Sequence, residues 1–223
     1  MKGYKVVTPI IKKSFDLYRG RICEKPQTIK DISYPPEKDK VSLGRANNAL
    51  NPMFYASTLK SVPFFELEAK EGDKVALSKW KTNSPLKINH IGFTEENIRR
   101  LNSSRNLHSI YTFVKNTNNF SDLNEMVHEY LGFIFAKPVL KEMASTEYKL
   151  TSALSEILIH GDYFDGLVYP TIQMKGNADN LALKPQYVDN NLNFIYLEYF
   201  EVLTFENNVY SLRTLDSSSK IDL

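Results

Sequence analysis

Strand-like sequence occupies the first and last thirds of this chain of 223 residues, whereas helical periodicity dominates the middle third. Alternating apolar and polar residues predict strands at 4–7, 15–23, 53–57, 74–80, 86–91, 166–169, 180–183, 193–205 and 209–212. Apolar residues three and four apart predict helices at 59–68, from Thr94 onward, at 122–135 and at 146–160. This order favours an α+β fold with a mixed sheet at its core and a helical middle section. We predict a single domain over 1–223.

Several local signals mark where these elements begin and end. Ser121 is a good N-cap for the helix at 122–135, and Gly161 is the expected C-cap residue of the helix at 146–160. Residues 24–51 form a long polar segment, and loops of this length in compact domains are usually functional or disordered. The Ser-rich end of the chain, 216–223, is expected to fray.

Composition argues against several classes of function. The chain has 28 basic and 26 acidic residues, so its net charge of +2 is too small for affinity based mainly on phosphate neutralisation. Direct nucleic-acid binding is therefore not expected. No apolar run approaches the roughly 20 residues of a membrane helix, and the start lacks the apolar region of a signal peptide. Together with a single cysteine, Cys23, these features predict a cytoplasmic protein that does not associate with membranes.

The familiar motifs for phosphate, acyl and metal chemistry are missing from the sequence. Neither GxGxxG, GxxxxGK[ST] nor GxSxG occurs, which argues against a dinucleotide-binding Rossmann fold, a P-loop and an α/β-hydrolase. The four histidines lie far apart and outside metal-ligand spacing, so we interpret them as surface or structural residues and expect no metal cofactor. They are His90, His108, His128 and His160.

A few polar residues stand in unusual surroundings. Arg19 and Arg21 share one face of a predicted strand, with Gly20 between them. Two guanidinium groups beside a glycine, where a ligand can approach the backbone closely, suit a diphosphate. Arg45 adds a third guanidinium in the long polar segment. Glu66 sits in the apolar run Phe-Phe-Glu-Leu, where an unpaired carboxylate is costly. From spacing alone, a helix-surface glutamate paired with a lysine is an equally good interpretation.

Read in order, several fragments resemble the RES domain, the toxin component of bacterial Res–Xre toxin–antitoxin pairs. The matching fragments are Tyr18-Arg19-Gly20-Arg21, Pro35-Pro36, Gly44-Arg45-Ala46-Asn47, Phe54-Tyr55-Ala56-Ser57, Phe65-Glu66, Gly72-Asp73-Lys74-Val75, 165–171 (DGLVYPT) and 180–185 (NLALKP). The motif-bearing part covers about 18–185, and 86–155 contributes nothing to the match. The family pattern has serine where this chain has Thr171, which keeps the hydroxyl and adds a methyl group.

The resemblance implies a fold similar to ADP-ribosyltransferase toxins and a reaction that consumes NAD by breaking its nicotinamide–ribose bond. It implies that Glu66, Tyr55 and Arg19 are the catalytic residues, with Glu66 as the carboxylate beside the ribose. It also implies that Arg19, with Arg21 and Arg45, holds the pyrophosphate. Tyr55 is expected at the nicotinamide ribose. The remaining NAD-binding residues implied are Asn47, Thr171, which would supply a hydroxyl to the same cavity, and Asn180. The expected partner is an Xre-like antitoxin protein, and the acceptor is water or phosphate.

Three alternatives remain open at this stage. An ADP-ribosyltransferase acting on a macromolecule would use the same residues. The alternative that is not an enzyme is a catalytically inactive module that binds a nucleotide or a partner protein. Thr171 is the feature that favours this alternative. Either Arg19 or Arg21 can be the essential arginine, because both share one strand face. We rank Arg19 first because it follows the aromatic Tyr18.

Overall fold

A computed structural model describes residues 10–11, 13–35, 42–48, 50–106, 109, 112–113, 116, 122–139, 143–160 and 162–218. The strands with bounds in these ranges are β1 Ile10–Ile11, β2 Asp16–Ile22, β3 Phe54–Ser57, β4 Lys74–Thr82, β5 Leu86–His90, β6 Gly166–Pro170, β7 Asp179–Leu183, β8 Leu192–Glu206 and β9 Val209–Ser218. The helices are α1 Ile29–Ile32, α2 Val62–Glu66, α3 Glu95–Leu101, α4 Asp122–Phe135, α5 Ala144–Leu158 and α6 Pro185–Asn191. The predicted strand at 4–7, the caps Ser121 and Gly161, and His108 lie outside the described residues.

Most predicted elements are confirmed to within a few residues. Thr94 is the N-cap of α3, and its side chain accepts a hydrogen bond from the Asn97 backbone. The expectation of fraying is wrong for 216–218, because β9 continues to Ser218 and pairs there with β8. Two short helices were missed, α1 and α6, although the Thr28–Asp31 capping box and a proline at the start of α6 are recognisable signals.

The strands form a mixed sheet in the order β1-β5-β6-β7-β3-β2-β4-β8-β9, which confirms the α+β class. The β5–β6 pair is parallel, and the other described pairs are antiparallel. The join between β2 and β3 rests on one Cα pair, Tyr18 with Ser57, whereas β2 pairs with β4 along its whole length. This narrow join divides the described sheet into two halves, β1-β5-β6-β7-β3 and β2-β4-β8-β9.

Side chains on the two faces of the sheet pack into different cores. On one face, Leu17 and Phe54 pack with Ile32 of α1 and Tyr187 of α6. On the other face, α4 and α5 cover β3, β6 and β7, and α2 covers β2 and β4 through Phe64. Because side chains alternate along a strand, Arg19 shares the first face with Leu17, and Gly20 faces α2. The alternation predicted for β2 is therefore confirmed.

Gly20 lies against α2 closely enough for a methyl group to matter. A Cβ atom at this position would stand 2.8 Å from Pro63 Cβ and 3.0 Å from Leu67 Cδ1. We expect Gly20→Ala to lower the free energy of unfolding by about 1–3 kcal/mol, because overpacking forces the helix away from the strand. Urea denaturation measures the loss, with the exposed Ser211→Ala as control. An unchanged urea midpoint would show that α2 moves away from β2 to accommodate the methyl group without a loss of stability.

Candidate functional site

A cavity of about 600 Å³ lies where β2 and β3 part, between the sheet, α2 and α5. Its volume falls within the roughly 300–1,000 Å³ typical of small-molecule sites. Its polar and aromatic lining includes Tyr18, Arg19, Arg21, Arg45, Tyr55, Ser57, Glu66, Tyr148, Tyr169, Gln173 and Asn180. Six of the residues predicted from the sequence therefore line one cavity, although they come from five separate segments of the chain.

Arg19 spans the narrow join between the two halves of the sheet. Its Nε donates to the Ile32 carbonyl at 3.1 Å, its Nη1 donates to the Tyr55 carbonyl at 2.8 Å, and its guanidinium lies over the Phe54 ring. Burial, with a smaller contribution from Arg21, lowers the pKa of Arg19 to about 10, so the group stays charged at neutral pH. Carbonyl oxygens orient the guanidinium without neutralising it, which leaves its positive charge available to an anion in the cavity.

Arg21 lies further along β2 and is held more loosely. Its Nη1 donates to the Asp31 carbonyl at 2.5 Å, a contact at the exposed surface. Arg19 and Arg21 thus both border the cavity, but Arg19 is the one fixed at the join between β2 and β3. These contacts favour Arg19 over Arg21 as the arginine that would bind an anion in the cavity.

Arg45 approaches the cavity from the opposite side. Its Nη1 donates to the Phe135 carbonyl at 2.6 Å and its Nη2 to the Lys137 carbonyl at 3.1 Å, at the C-terminal end of α4. Its guanidinium also lies 5.3 Å from the centre of the Tyr148 ring. A helix C-terminus attracts cations through its unpaired carbonyl groups, so this position is a natural one for an arginine.

Tyr55 and Asn47 hold the segment that carries Arg45. The Tyr55 hydroxyl donates to Asn47 Oδ1 at 2.8 Å and accepts a hydrogen bond from the Ala46 backbone at 2.8 Å. Asn47 Nδ2 donates to the Ser42 carbonyl. Asn47 is buried and does not border the cavity, so its predicted contact with NAD stays a prediction. The ring of Tyr55 lines the cavity, while its hydroxyl is already engaged by 46–47.

Removing the Tyr55 hydroxyl is expected to loosen this segment. Tyr55→Phe leaves Asn47 Oδ1 and the Ala46 N–H without their partner, so we expect a loss of about 1–3 kcal/mol in the free energy of unfolding. Urea denaturation measures it, and Tyr196→Phe on β8, which does not border the cavity, is the control. Equal stabilities of Tyr55→Phe and the wild-type protein would show that water replaces the hydroxyl without penalty.

Glu66 ends α2 and faces the cavity, where it is exposed to solvent. The surrounding protein still displaces much of its water, and this desolvation raises the pKa of the carboxyl group. A hydrogen bond from Asn180 and the charge of Arg45 act in the opposite direction, and Glu68 reinforces the rise. No lysine pairs with Glu66 among the described residues, so the alternative of a lysine-paired surface glutamate does not hold there.

Asn180 is held in turn by Ser57, on the neighbouring strand. Ser57 Oγ donates to Asn180 Oδ1 at 2.8 Å, so the Asn180 amide N–H groups remain to serve the Glu66 carboxylate. Ser57 belongs to one of the RES-like fragments but was not predicted as a site residue. Its position two residues after Tyr55 on the same strand was the available signal, because residues i and i+2 face the same side.

Thr171 lies outside the cavity. Its side chain is fully buried, and its Oγ1 has no hydrogen-bond partner in the described part of the chain. The expectation that it supplies a hydroxyl to the cavity is therefore corrected. Gln173, two residues further on, borders the cavity instead and donates to Glu68 Oε1 at 3.2 Å. Tyr169 borders the cavity from β6; it belongs to a RES-like fragment but was not predicted as a site residue.

Neither a metal centre nor a membrane-spanning helix is found in the described part of the chain. The described residues contain no group of three or more His, Cys, Asp or Glu side chains that could hold a metal ion. Within the same residues, no helix has the length and apolar character needed to cross a bilayer. Comparison with models of known protein families gives no match, and comparison with curated protein sequences gives none either. The case for function therefore depends on the residues around the cavity.

Proposed function

We propose that this chain cleaves the nicotinamide–ribose bond of NAD, as an NAD glycohydrolase or NAD phosphorylase. The observation that carries the proposal is the Glu66 carboxylate, which lies with Asn180 in a cavity that Arg19, Arg21 and Arg45 also border. Guanidinium groups and the Glu66 carboxylate in one cavity suit a substrate with a pyrophosphate at one point and developing positive charge at another.

The chemistry requires a negative charge beside the ribose. When the glycosidic C–N bond breaks, its electron pair moves to the nicotinamide nitrogen, and positive charge develops on the ribose as in other glycosidic cleavages. An ionised Glu66 stabilises that charge and accepts a hydrogen bond from a ribose hydroxyl. Water then adds to the ribose and loses a proton, which gives ADP-ribose, or phosphate adds and gives a phosphorylated ADP-ribose.

The arginines suit the pyrophosphate of the same substrate. A planar guanidinium binds phosphate oxygens through two parallel N–H donors. Arg19 uses its Nε and one Nη1 hydrogen in the described contacts, which leaves further N–H groups on Nη1 and Nη2. The aromatic rings of Tyr55, Tyr148 and Tyr169 provide apolar surface for the flat groups of a dinucleotide.

We further propose that the fold is of the ADP-ribosyltransferase type and that the chain is a RES-like toxin. A cavity at a division between two halves of a sheet supports this, as does its formation from the residues of the RES-like fragments around Arg19, Tyr55, Glu66 and Asn180. We also propose an Xre-like antitoxin as partner, which the resemblance implies, and the cytoplasm as location, which the sequence composition predicts.

The proposal is tested by incubating the purified protein with NAD, with and without phosphate, and separating the products by chromatography. Free nicotinamide with ADP-ribose, or with a phosphorylated ADP-ribose when phosphate is present, supports the proposal and identifies the acceptor. Folded protein that releases no nicotinamide overturns it. NAD labelled in the adenylate half distinguishes the rival activity, because transfer of the label to protein or RNA identifies an ADP-ribosyltransferase.

A further inference from the structure

Arg105 lies beyond the end of α3 and outside the cavity lining, yet it is bonded to the segment that leads into β7. Its guanidinium forms a two-pronged ion pair with Asp179, with Nη2–Oδ1 at 2.7 Å and Nη1–Oδ2 at 3.1 Å. Its Nε donates to the Gly176 carbonyl at 2.7 Å, and its Nη2 donates to the Ala178 carbonyl at 3.3 Å. One side chain thus bonds to three of the four residues from 176 to 179.

A second set of contacts holds the same segment. Asn177 Oδ1 accepts hydrogen bonds from the Ser104 backbone at 3.0 Å, from Ser104 Oγ at 2.7 Å and from Ser103 Oγ at 3.2 Å. On the other side, the Thr58 backbone donates to the Asp179 carbonyl at 3.1 Å. The start of β7 is therefore fixed between 103–105 and the end of β3.

The next residue after Asp179 is Asn180, which lines the same cavity as Glu66 and lowers the pKa of the Glu66 carboxyl group. Successive side chains on a strand point to opposite faces, so Asp179 meets Arg105 on one face while Asn180 reaches the cavity on the other. Any movement of the Asp179 backbone moves Asn180 with it. We propose that Arg105 is a positioning residue that fixes the start of β7 and thereby directs the Asn180 amide at the Glu66 carboxylate. The role of this contact in NAD cleavage rests on the proposed function.

Loss of the Arg105 contacts is expected to change the pKa of the Glu66 carboxyl group. The Asn180 hydrogen bond opposes the desolvation that raises the pKa of Glu66, so a weaker bond lets this pKa rise further. The other charged or titratable groups that act on Glu66 are Arg45, which lowers its pKa, and Glu68, which raises it, with Tyr169 nearby. None of these three bonds to Arg105 among the described contacts.

The test is an NMR titration of the Glu66 carboxyl in the wild-type protein and in Arg105→Lys, Asn180→Ala and the double variant. Lysine keeps the positive charge of Arg105 but cannot form its planar fork, so direct electrostatic effects are held nearly constant. We expect Arg105→Lys to raise the pKa of Glu66 as Asn180→Ala does, and the double variant to match Asn180→Ala alone. Arg213→Lys, which weakens an exposed ion pair with Glu201, is the matched control and leaves the titration unchanged.

The activity assay supplies a second readout. We expect Arg105→Lys to lower kcat by about tenfold at neutral pH, as small misplacements near a reaction centre do, and to move the acidic limb of the pH profile to higher pH. An unchanged Glu66 titration in Arg105→Lys, or additive shifts in the double variant, overturns the inference. If Arg105→Lys fails to fold, Asn177→Ala tests the same path. The titration needs no NAD turnover, so failure of the proposed function leaves its result interpretable.

Discussion

Replacement of Glu66 by glutamine is expected to lower the rate of NAD cleavage by about 10²–10³-fold in a protein that remains folded. Glutamine preserves the size of the side chain and can still accept a hydrogen bond from Asn180, but it has no charge to stabilise the positive ribose. Nicotinamide release measured by chromatography gives the rate. The exposed carboxylate of Glu71, changed to glutamine, is the matched control. Wild-type NAD loss in folded Glu66→Gln would contradict the assignment.

The same variant has an expected effect on stability. Desolvation raises the pKa of Glu66 in the folded state above its unfolded value, so the folded protein binds the proton more readily. The ionised carboxylate therefore reduces the free energy of unfolding as pH rises through that window, and it contributes nothing below the unfolded pKa. Glu66→Gln should have a Tm at least equal to that of the wild type at neutral pH, with the two converging in acid. A large fall in Tm at neutral pH would mean that the carboxylate has a structural role.

Arg19→Gln is expected to affect binding, turnover and stability together. It removes the charge and leaves the buried Ile32 and Tyr55 carbonyl groups without their charged donor, which costs about 2–4 kcal/mol in the free energy of unfolding. We expect KM for NAD to rise and kcat/KM to fall by about 10²-fold, because pyrophosphate binding acts in both the ground state and the transition state. Urea denaturation and steady-state kinetics measure the two effects.

Arg21→Gln is the matched comparison for this prediction. Arg21 makes a single described hydrogen bond, to the Asp31 carbonyl near the surface, so its loss should change both stability and kinetics less. Arg19→Lys separates charge from geometry, since lysine keeps the charge but cannot reach both carbonyl groups. Greater losses in Arg21→Gln than in Arg19→Gln would reverse the order that the contacts give the two arginines.

The sequence predicts those features that depend on neighbouring residues. Alternation along β2 placed Leu17, Arg19 and Arg21 on one face, and the capping preference of threonine located the start of α3 at Thr94. Contacts between residues far apart in the sequence are not predicted in this way. The hydrogen bond from Ser57 to Asn180 joins positions 123 residues apart, and no local pattern relates them.

Thr171 is a residue for which the local sequence suggested a place in the cavity and the fold gives another. Its hydroxyl made it a plausible cavity residue, but the turn after β6 buries it and brings Gln173 to the cavity instead. The short helix α1 was missed because four residues offer too little apolar periodicity to be noticed. Its backbone nevertheless supplies the carbonyl groups that hold Arg19 and Arg21.

The narrow join between β2 and β3 has a consequence for how the chain can be divided into fragments. Following the chain, the path passes from one half of the sheet to the other after β1, β2, β3, β4 and β7. Neither half is a continuous stretch of sequence, so no single cut of the chain separates one half of the sheet from the other. Any single cut between Arg19 and Tyr55, which lie on opposite sides of the join, therefore divides both halves of the sheet.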